Sequence, residues 1–289
     1  MKREYRVLSR LWAHLDRAPQ AYLLCDDAEV AGADFFVMER RSGEGIRGMI
    51  PESMREHADV AHHVGTALVE AIAASIASIR ARATSRPRAR PDGFAERQVK
   101  GWKTRWYLVA DPAQDPAMGA VHARLAKAIR DPQRVSFVHN DLKLDNCMFD
   151  PANPDRVIAF FDWDMTTLGD PLIDLGTLLD YWQDPEDGDD SRGTQDGMEM
   201  MALPTRAEVR KIYTELAGLD DSSIDWCEAF ALRKTATVIA QFHHSGVVGD
   251  STDPRRKPSR SAFRSWRKRR AGCRTDSADR SLGSQGRTG

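Results

Sequence analysis

The sequence is poor in cysteine and in long apolar runs. The four cysteines, Cys25, Cys147, Cys227 and Cys273, show no CxxC spacing, so neither a structural zinc site nor a disulfide framework is predicted. The longest nearly apolar stretch, residues 71–79, is too short to cross a bilayer. The charged first residues are not typical of a signal peptide. We therefore expect a soluble, cytoplasmic protein that has no membrane partner.

The whole chain has almost no net charge, but its two parts carry net charges of opposite sign. The 42 Lys and Arg residues against 43 Asp and Glu residues give a net charge of -1. Residues 254–289 contain 12 basic and 2 acidic residues, which leaves 30 basic and 41 acidic residues in 1–253. This asymmetry predicts an acidic folded body with a basic, disordered tail. Nucleic-acid binding by the tail is the weaker alternative, since only Phe263 and Trp266 could stack on bases.

Three common catalytic motifs are missing: the GxSxG elbow, the HExxH helix and the Walker phosphate loop. Their absence argues against α/β-hydrolase, zincin and P-loop chemistry. The sequence instead contains HNDLKLDN at residues 139–146 and, after a predicted hairpin, FFDWD at residues 160–164. Together they form an H-x-D-x-x-x-x-N pattern followed by an aspartate at the end of a strand.

These residue types suit phosphoryl transfer, which depends on positioning and on neutralising phosphate charge. Asp141 is predicted to be the catalytic base that orients an acceptor hydroxyl. Asn146 and Asp162 offer the oxygen ligands that Mg²⁺ prefers, and Lys143 is placed to contact phosphate groups. His139 is predicted to orient the loop rather than to move protons. Ordinary turn positions for the aspartates and Asn146 are the alternative.

The remaining pattern predicts a mixed α and β architecture. Asp174 is expected to brace residues 139–146, called the catalytic loop below, by a hydrogen bond. Trp102, Trp106, Tyr181 and Trp182 either line an acceptor pocket or belong to the core. The predicted helices are 3–15, 51–79, 117–129, 170–182, 205–218 and 225–244, and the predicted strands are 21–25, 34–38, 137–138, 147–149 and 157–161.

HNDLKLDN, FFDWD and GDPLIDLG (residues 169–176) resemble the catalytic core of the aminoglycoside phosphotransferase and choline kinase-like superfamily. REYRVLSRLW, FFVMERR and GFAERQVKGW add a similarity to the phosphotransferase domain fused to acyl-CoA dehydrogenases and to its free-standing bacterial relatives. The resemblance implies an α+β, protein kinase-like fold with two lobes. It also implies ATP as phosphate donor, Mg²⁺, and a small hydroxylated acceptor such as a hydroxyacyl metabolite.

Carried over to this sequence, the resemblance places the adenine-binding hinge at Met38, Glu39 and Arg40 and puts Glu4 on the helix that faces the nucleotide. Relatives pair that glutamate with a strand lysine behind a glycine-containing loop, and neither occurs in this sequence. We therefore expect an incomplete, truncated N-terminal lobe at 1–42, a mostly helical catalytic lobe at 43–253 and the tail at 254–289.

The same departure leaves a second functional hypothesis open. A chain without the loop and the lysine could be a catalytically impaired or non-catalytic kinase-like remnant. Residues 75–91 also depart from the family pattern, as does the tail. The sequence indicates neither the identity of the acceptor nor an oligomeric state.

Overall fold

The computed structural model describes residues 1–80, 93–110, 116–184 and 202–248. The expected basic tail, residues 254–289, lies outside the described residues, as do most of 75–91. Within the described ranges, none of the helices combines the length and the hydrophobicity that crossing a bilayer requires.

The N-terminal region consists of a helix and a two-stranded antiparallel sheet. Helix α1 spans Lys2–Leu11, shorter than predicted, and buries Leu8 and Leu11. Strands β1 (Ala21–Cys25) and β2 (Phe35–Met38) pair as the sequence predicts. Tyr5 of α1 packs against Phe36 of β2 with ring centroids 6.3 Å apart, so the sheet rests on the helix.

The connection between these strands contains a short helix where the sequence predicts only a turn. Helix α2 spans Ala28–Ala31. The side chain of Asp27 accepts a hydrogen bond from the Glu29 amide at 2.9 Å, which caps the helix. Gly32 ends it with φ of +77°, a conformation that glycine adopts without steric cost.

The long helix predicted over 51–79 begins later than expected. Residues Glu52–Met54 form one turn of 3-10 helix, and helix α3 spans Val60–Arg80. Asp59 lies between them with φ of +48°. Because this left-handed conformation is incompatible with a continuous α-helix, the prediction of one helix from Pro51 is wrong.

Small sheets support the middle of the chain. Strand β3 (Glu44–Gly45) pairs with β5 (Cys147–Asp150), which pairs with β6 (Asn153–Phe160) in a hairpin. Strand β4 (Ser136–Val138) pairs with β7 (Thr167–Gly169). All three pairings are antiparallel, and together they bring the residues after β4 and after β6 to one end of the fold.

Five further α-helices and two single turns of 3-10 helix, Leu144–Asn146 and Trp163–Met165, complete the described structure. The α-helices are α4 (Phe94–Tyr107), α5 (Pro116–Lys127), α6 (Leu172–Tyr181), α7 (Arg206–Ala217) and α8 (Ile224–Val248). The sequence pattern did not predict α4. The predicted capping box of α7 is present, since Thr205 and Glu208 exchange hydrogen bonds.

Helix α6 is the centre of the core, because residues 172–180 are all buried. It lies unusually close to α8 at Gly176. A Cβ atom on Gly176 would stand 2.6 Å from the carbonyl carbon of Cys227, closer than real Cβ contacts. The absence of a side chain at position 176 therefore sets the distance between the two helices.

Candidate active site

The loop that follows β4 is held by the carboxylate of Asp174 on α6. One carboxylate oxygen accepts the His139 amide at 2.8 Å and the other accepts the Asn140 amide at 2.7 Å. Asp174 is 3% exposed, and burial raises its pKa to about 6 despite these two bonds. The predicted brace is therefore confirmed by the geometry, and it secures two consecutive backbone groups.

His139 orients the loop from its other side. Its Nε2 donates to the carbonyl of Phe161 at 2.9 Å, and its Nδ1 accepts the Asp141 amide at 3.3 Å. This pair of partners requires the neutral imidazole with its proton on Nε2. Burial lowers the pKa of His139 to about 4, which agrees with a neutral, orienting side chain.

Asn140 introduces a sharp bend in front of the predicted base. Its φ is +66°, in the left-handed region that Asn tolerates better than most residues. Its side-chain amide donates to the carbonyl of Met165 at 3.1 Å, and its own carbonyl accepts a hydrogen bond from the amine of Lys234 on α8. The bend is thus supported by contacts from two separate segments.

The predicted base, Asp141, lies next to the predicted phosphate and metal residues. The amine of Lys143 is 3.1 Å from Asp141 Oδ2. The side-chain amide nitrogen of Asn146 is 2.7 Å from the Asp141 carbonyl and 3.2 Å from Oδ2. Burial opposes ionisation of Asp141, but the charges of Lys143 and Lys234 hold its pKa below the ordinary value. The carboxylate is therefore charged at neutral pH, as an acceptor of a proton must be.

Asp162 follows β6 at the position predicted for a metal ligand. It also has a left-handed backbone, with φ of +62°. Burial, followed by the negative charge of Asp141, raises its pKa, so the two carboxylates lie close enough to repel each other. The Phe161 amide donates to the Asn146 carbonyl at 2.8 Å, and this bond links the two predicted metal-binding segments.

The donor set fits a divalent cation that shares its coordination with phosphate groups. Because the nitrogen of the Asn146 amide is bonded to Asp141, its oxygen is left as a ligand beside the Asp162 carboxylate. In the described part of the chain, no three His, Cys, Asp or Glu side chains come together as a metal site. Mg²⁺ is commonly bound by one or two protein oxygens together with substrate phosphates and water.

The predicted nucleotide-facing residues are placed in the N-terminal region. The Glu4 carboxylate accepts the amide of Trp163, directly after Asp162, at 3.3 Å. Burial raises the pKa of Glu4. The amide of Glu39 donates to the Gln20 carbonyl at 2.7 Å, so this hinge group is already bonded, and Met38 is 38% exposed on the sheet.

The aromatic residues considered for an acceptor pocket separate into two groups. Trp102, Trp106 and Trp182 are buried to 3% exposure or less, and the Trp182 indole donates to the Pro204 carbonyl at 2.7 Å. They belong to the core. Tyr181 instead lies beside the catalytic loop, with the Lys143 amine 5.1 Å from its ring centroid.

Lys234 is the residue at this site that sequence reasoning missed. It lies in a helical stretch with no motif, 94 positions after the carbonyl that it contacts. Lys234 follows Arg233 in the sequence, so the local pattern did not distinguish it from an ordinary exposed cation.

Several known proteins resemble this chain in sequence. Residues 1–212 match the profile of APH, the phosphotransferase enzyme family. Mouse acyl-CoA dehydrogenase family member 11 is 30% identical over 227 residues, covering 78% of this chain and 28% of the relative. Mouse family member 10 is 28% identical over 261 residues, covering 87% of this chain and 23% of the relative. The chain thus spans about a quarter of the length of these curated relatives.

Solved structures show the same fold. A Ralstonia eutropha protein assigned to the aminoglycoside phosphotransferases has a TM-score of 0.68 and 26% identity, covering 94% of this chain and 80% of its own. Amicoumacin kinase, solved with AMP-PNP, Ca²⁺ and its ligand, has a TM-score of 0.59 and 17% identity, covering 94% and 76%. Choline kinase from Cryptosporidium parvum has a TM-score of 0.53 and 14% identity, covering 84% and 72%. These likenesses confirm the predicted protein kinase-like fold.

Proposed function

Because this chain belongs to the phosphotransferase enzyme family, we propose that it transfers the γ-phosphate of ATP to a hydroxyl group of a small molecule. The observation that carries the proposal is the placement of Asp141. Its carboxylate is charged, 15% exposed and next to Lys143 and Asn146. This arrangement suits a reaction in which a hydroxyl must be oriented and phosphate charge neutralised.

Each polar residue of the site has a role in the proposal. Asp141 accepts the hydrogen bond and then the proton of the acceptor hydroxyl. Lys143 contacts the transferred phosphate as a point charge. The Asn146 side-chain oxygen and the Asp162 carboxylate would hold Mg²⁺, which when bound neutralises charge on the phosphate oxygens. His139 and Asp174 keep the loop in place and take no part in proton transfer.

The nucleotide is assigned to the face between the N-terminal region and the catalytic loop. In this proposal, the backbone of Met38, Glu39 and Arg40 contacts the adenine. Since the Glu39 amide is bonded to Gln20, the hydrogen bonds to adenine would come from the neighbouring backbone groups. Glu4 supports the same face through the backbone of Trp163.

We propose a hydroxyacyl metabolite as the acceptor. The support is the similarity to acyl-CoA dehydrogenase family members 10 and 11, whose names connect this type of domain with acyl chemistry. Choline and aminoglycosides are the acceptors to be compared with it, because structural neighbours are named as a choline kinase and as an aminoglycoside phosphotransferase.

The test is a phosphate-transfer assay on the full chain with Mg-ATP and a panel of hydroxylated acceptors from these three groups. Transfer to at least one acceptor is expected, and Asp141→Asn should reduce it by about a thousandfold or more, since it removes the base without changing the shape of the side chain. The exposed Asp155→Asn is the matched control and should behave as the wild type. Transfer that survives Asp141→Asn unchanged would refute the assignment.

A non-catalytic remnant is the second candidate, and the position of Glu4 favours it. In the described part of the chain, Glu4 has no ion pair with a lysine and instead binds a backbone amide. Thermal-shift titration separates the candidates. A ligand at tenfold excess over its Kd stabilises the folded state by about 1.4 kcal/mol, so a phosphotransferase should melt at a higher temperature in millimolar Mg-ATP, and a remnant should not.

A further inference from the structure

Lys234 places a buried amine against the backbone of the catalytic loop. The residue is 2% exposed and lies in the middle of α8. Its amine donates to the carbonyl of Asn140, the residue directly before Asp141. The contact joins α8 to the loop, and the roles proposed above do not use it.

Its surroundings explain why a lysine is tolerated in this position. Burial lowers the pKa of Lys234, but the carboxylates of Asp141, Asp180 and Asp174 favour its charged form, opposed by the charge of Lys143. A buried cation costs several kcal/mol unless it is paired and hydrogen-bonded. The amine therefore satisfies a hydrogen bond to the loop and balances part of its negative charge at the same time.

The contact completes a set of restraints on three consecutive peptide groups. The amides of His139 and Asn140 are fixed by Asp174, the amide of Asp141 is fixed by His139, and the Asn140 carbonyl is fixed by Lys234. The Asn140 carbonyl and the Asp141 amide belong to the same peptide group. With both of its ends bonded, this group cannot rotate without breaking a buried hydrogen bond.

Rotation of that group would move the predicted base. The Asn140–Asp141 peptide sets the direction of the Asp141 side chain, and Asn140 is held in a left-handed conformation with φ of +66°. Such conformations are less favourable than right-handed ones and persist where the surroundings impose them. A misplacement of about 1 Å at a reacting group can cost about a hundredfold in rate.

We propose that Lys234 is a positioning residue that fixes the Asn140–Asp141 peptide, so that the Asp141 carboxylate faces the acceptor hydroxyl. The inference rests on the proposed phosphotransferase function. Lys234 touches neither the substrate nor the reacting atoms in this arrangement. It holds the loop, and its charge also favours the ionised form of Asp141.

The test compares two neighbouring buried cations on α8. Lys234→Met removes the donor and keeps most of the side-chain volume. Arg233→Met is the matched control, since Arg233 is also 3% exposed and two of its nitrogens, Nε and Nη1, have no hydrogen-bond partner. We expect Lys234→Met to lower kcat by about tenfold to a hundredfold, with KM for Mg-ATP within about twofold, and Arg233→Met to change kcat by less than about threefold.

A second measurement does not depend on turnover. Amide hydrogen exchange of the peptides that cover residues 138–146 should be at least about tenfold faster in Lys234→Met than in the wild type, and unchanged in Arg233→Met. If the wild type transfers phosphate to none of the acceptors, the proposed function fails, and the exchange data still decide whether Lys234 holds the loop.

Three results would overturn the inference: an unchanged kcat in Lys234→Met, an equal loss of kcat in both variants, or unchanged exchange in the loop. If Lys234→Met does not fold, Lys234→Arg, which keeps a hydrogen-bond donor at this position, is tested in its place. The inference then requires that Lys234→Arg retains slow loop exchange and more than about a third of the wild-type kcat, and a larger loss with the loop still protected would contradict it.

Discussion

The catalytic loop and the N-terminal sheet are built in opposite ways. Around Asp141, consecutive backbone groups are bonded to side chains from other elements, and Asp174, His139 and Lys234 are buried. In the sheet of β1 and β2, the strands bond mainly to each other, and four large apolar side chains are at least 38% exposed: Tyr22, Leu23, Val37 and Met38.

This difference separates the two requirements of the proposed reaction. The loop is held by buried side chains of α6 and α8, so its geometry depends on the packing of the core. A two-stranded sheet is only marginally stable by itself, and the region expected to contact adenine therefore depends on α1. The chemistry is supported by the core, whereas nucleotide binding depends on a thin outer layer.

Removal of the Asp174 carboxylate should have the largest effect on the difference between the two regions, because it frees the well-held loop. In Asp174→Ala, the amides of His139 and Asn140 lose their acceptors, and each buried, unsatisfied amide costs about 1 to 3 kcal/mol. We expect the free energy of unfolding to fall by about 4 kcal/mol and phosphate transfer to fall by at least a hundredfold. Urea denaturation and the transfer assay measure the two effects. A variant that keeps both properties would show that the loop is not held in this way.

Acidification tests whether His139 is buried in its neutral form. Its pKa is about 4 in the folded protein against an ordinary value of 6.5, so between these values the unfolded chain binds the proton and the folded chain does not. The stability contributed by His139 is therefore complete above pH 6.5 and lost as the pH falls to about 4, a change of about 3 kcal/mol. Asp174, whose folded pKa is raised to about 6, changes stability in the opposite direction over the same range.

Because the two contributions oppose each other, a comparison with His139→Gln is needed to isolate the contribution of His139. The difference in unfolding free energy between the wild type and His139→Gln is expected to fall by about 3 kcal/mol from pH 7 to pH 4. Urea denaturation at several pH values measures it. A difference that stays constant with pH would mean that His139 is protonated, or accessible to water, in the folded protein.

Two leucines compare the regions directly. Leu142 in the catalytic loop is 2% exposed, and Leu23 in the sheet is 55% exposed. Leu142→Ala should lower the free energy of unfolding by about 3 kcal/mol, because it leaves a cavity in the core, and Leu23→Ala should lower it by less than about 1 kcal/mol. Equal losses in denaturation would indicate that the sheet is covered in solution.

The contact between the two regions should have the smallest effect on stability. Glu4→Gln keeps an acceptor for the Trp163 amide but removes the charge, so we expect a change within about 1 kcal/mol. Removal of the negative charge near Asp162 should weaken Mg-ATP binding by less than about threefold, measured by thermal-shift titration. A loss of more than tenfold would instead give Glu4 a direct role at the nucleotide.

The sequence allowed the loop at residues 139–146 to be located, but it did not reveal all of the side chains that hold the loop in place. His139, Asp141 and Asn146 form one continuous pattern, and the orienting role of His139 and the brace at Asp174 agree with the observed hydrogen bonds. Their catalytic and metal-binding roles remain predictions. Lys234 could not be found, because a contact across 94 positions leaves no local periodicity.

The errors in the predicted elements have different origins. The helix start at Pro51 was wrong because the left-handed conformation of Asp59 interrupts the helix, and the apolar pattern of the sequence does not show where such an interruption falls. The signal for helix α4 was present in the sequence, because its buried residues Val99, Trp102 and Trp106 have the i, i+3, i+7 spacing of an amphipathic helix.

Gly176 makes the catalytic loop vulnerable to changes in a residue that never touches it. Cys227, which meets Gly176, and Lys234 are seven positions apart on α8, so they lie two turns apart on one side of the helix. A methyl group at position 176 would press α8 outward and carry Lys234 away from the Asn140 carbonyl. The atoms in the way are the backbone carbonyl and the Cβ of Cys227, which all residues except glycine share, so an ordinary substitution at position 227 would not make room for a side chain at 176. Over evolutionary time, glycine is therefore expected to persist at position 176, and its persistence would record selection for catalysis at a residue without any chemistry of its own.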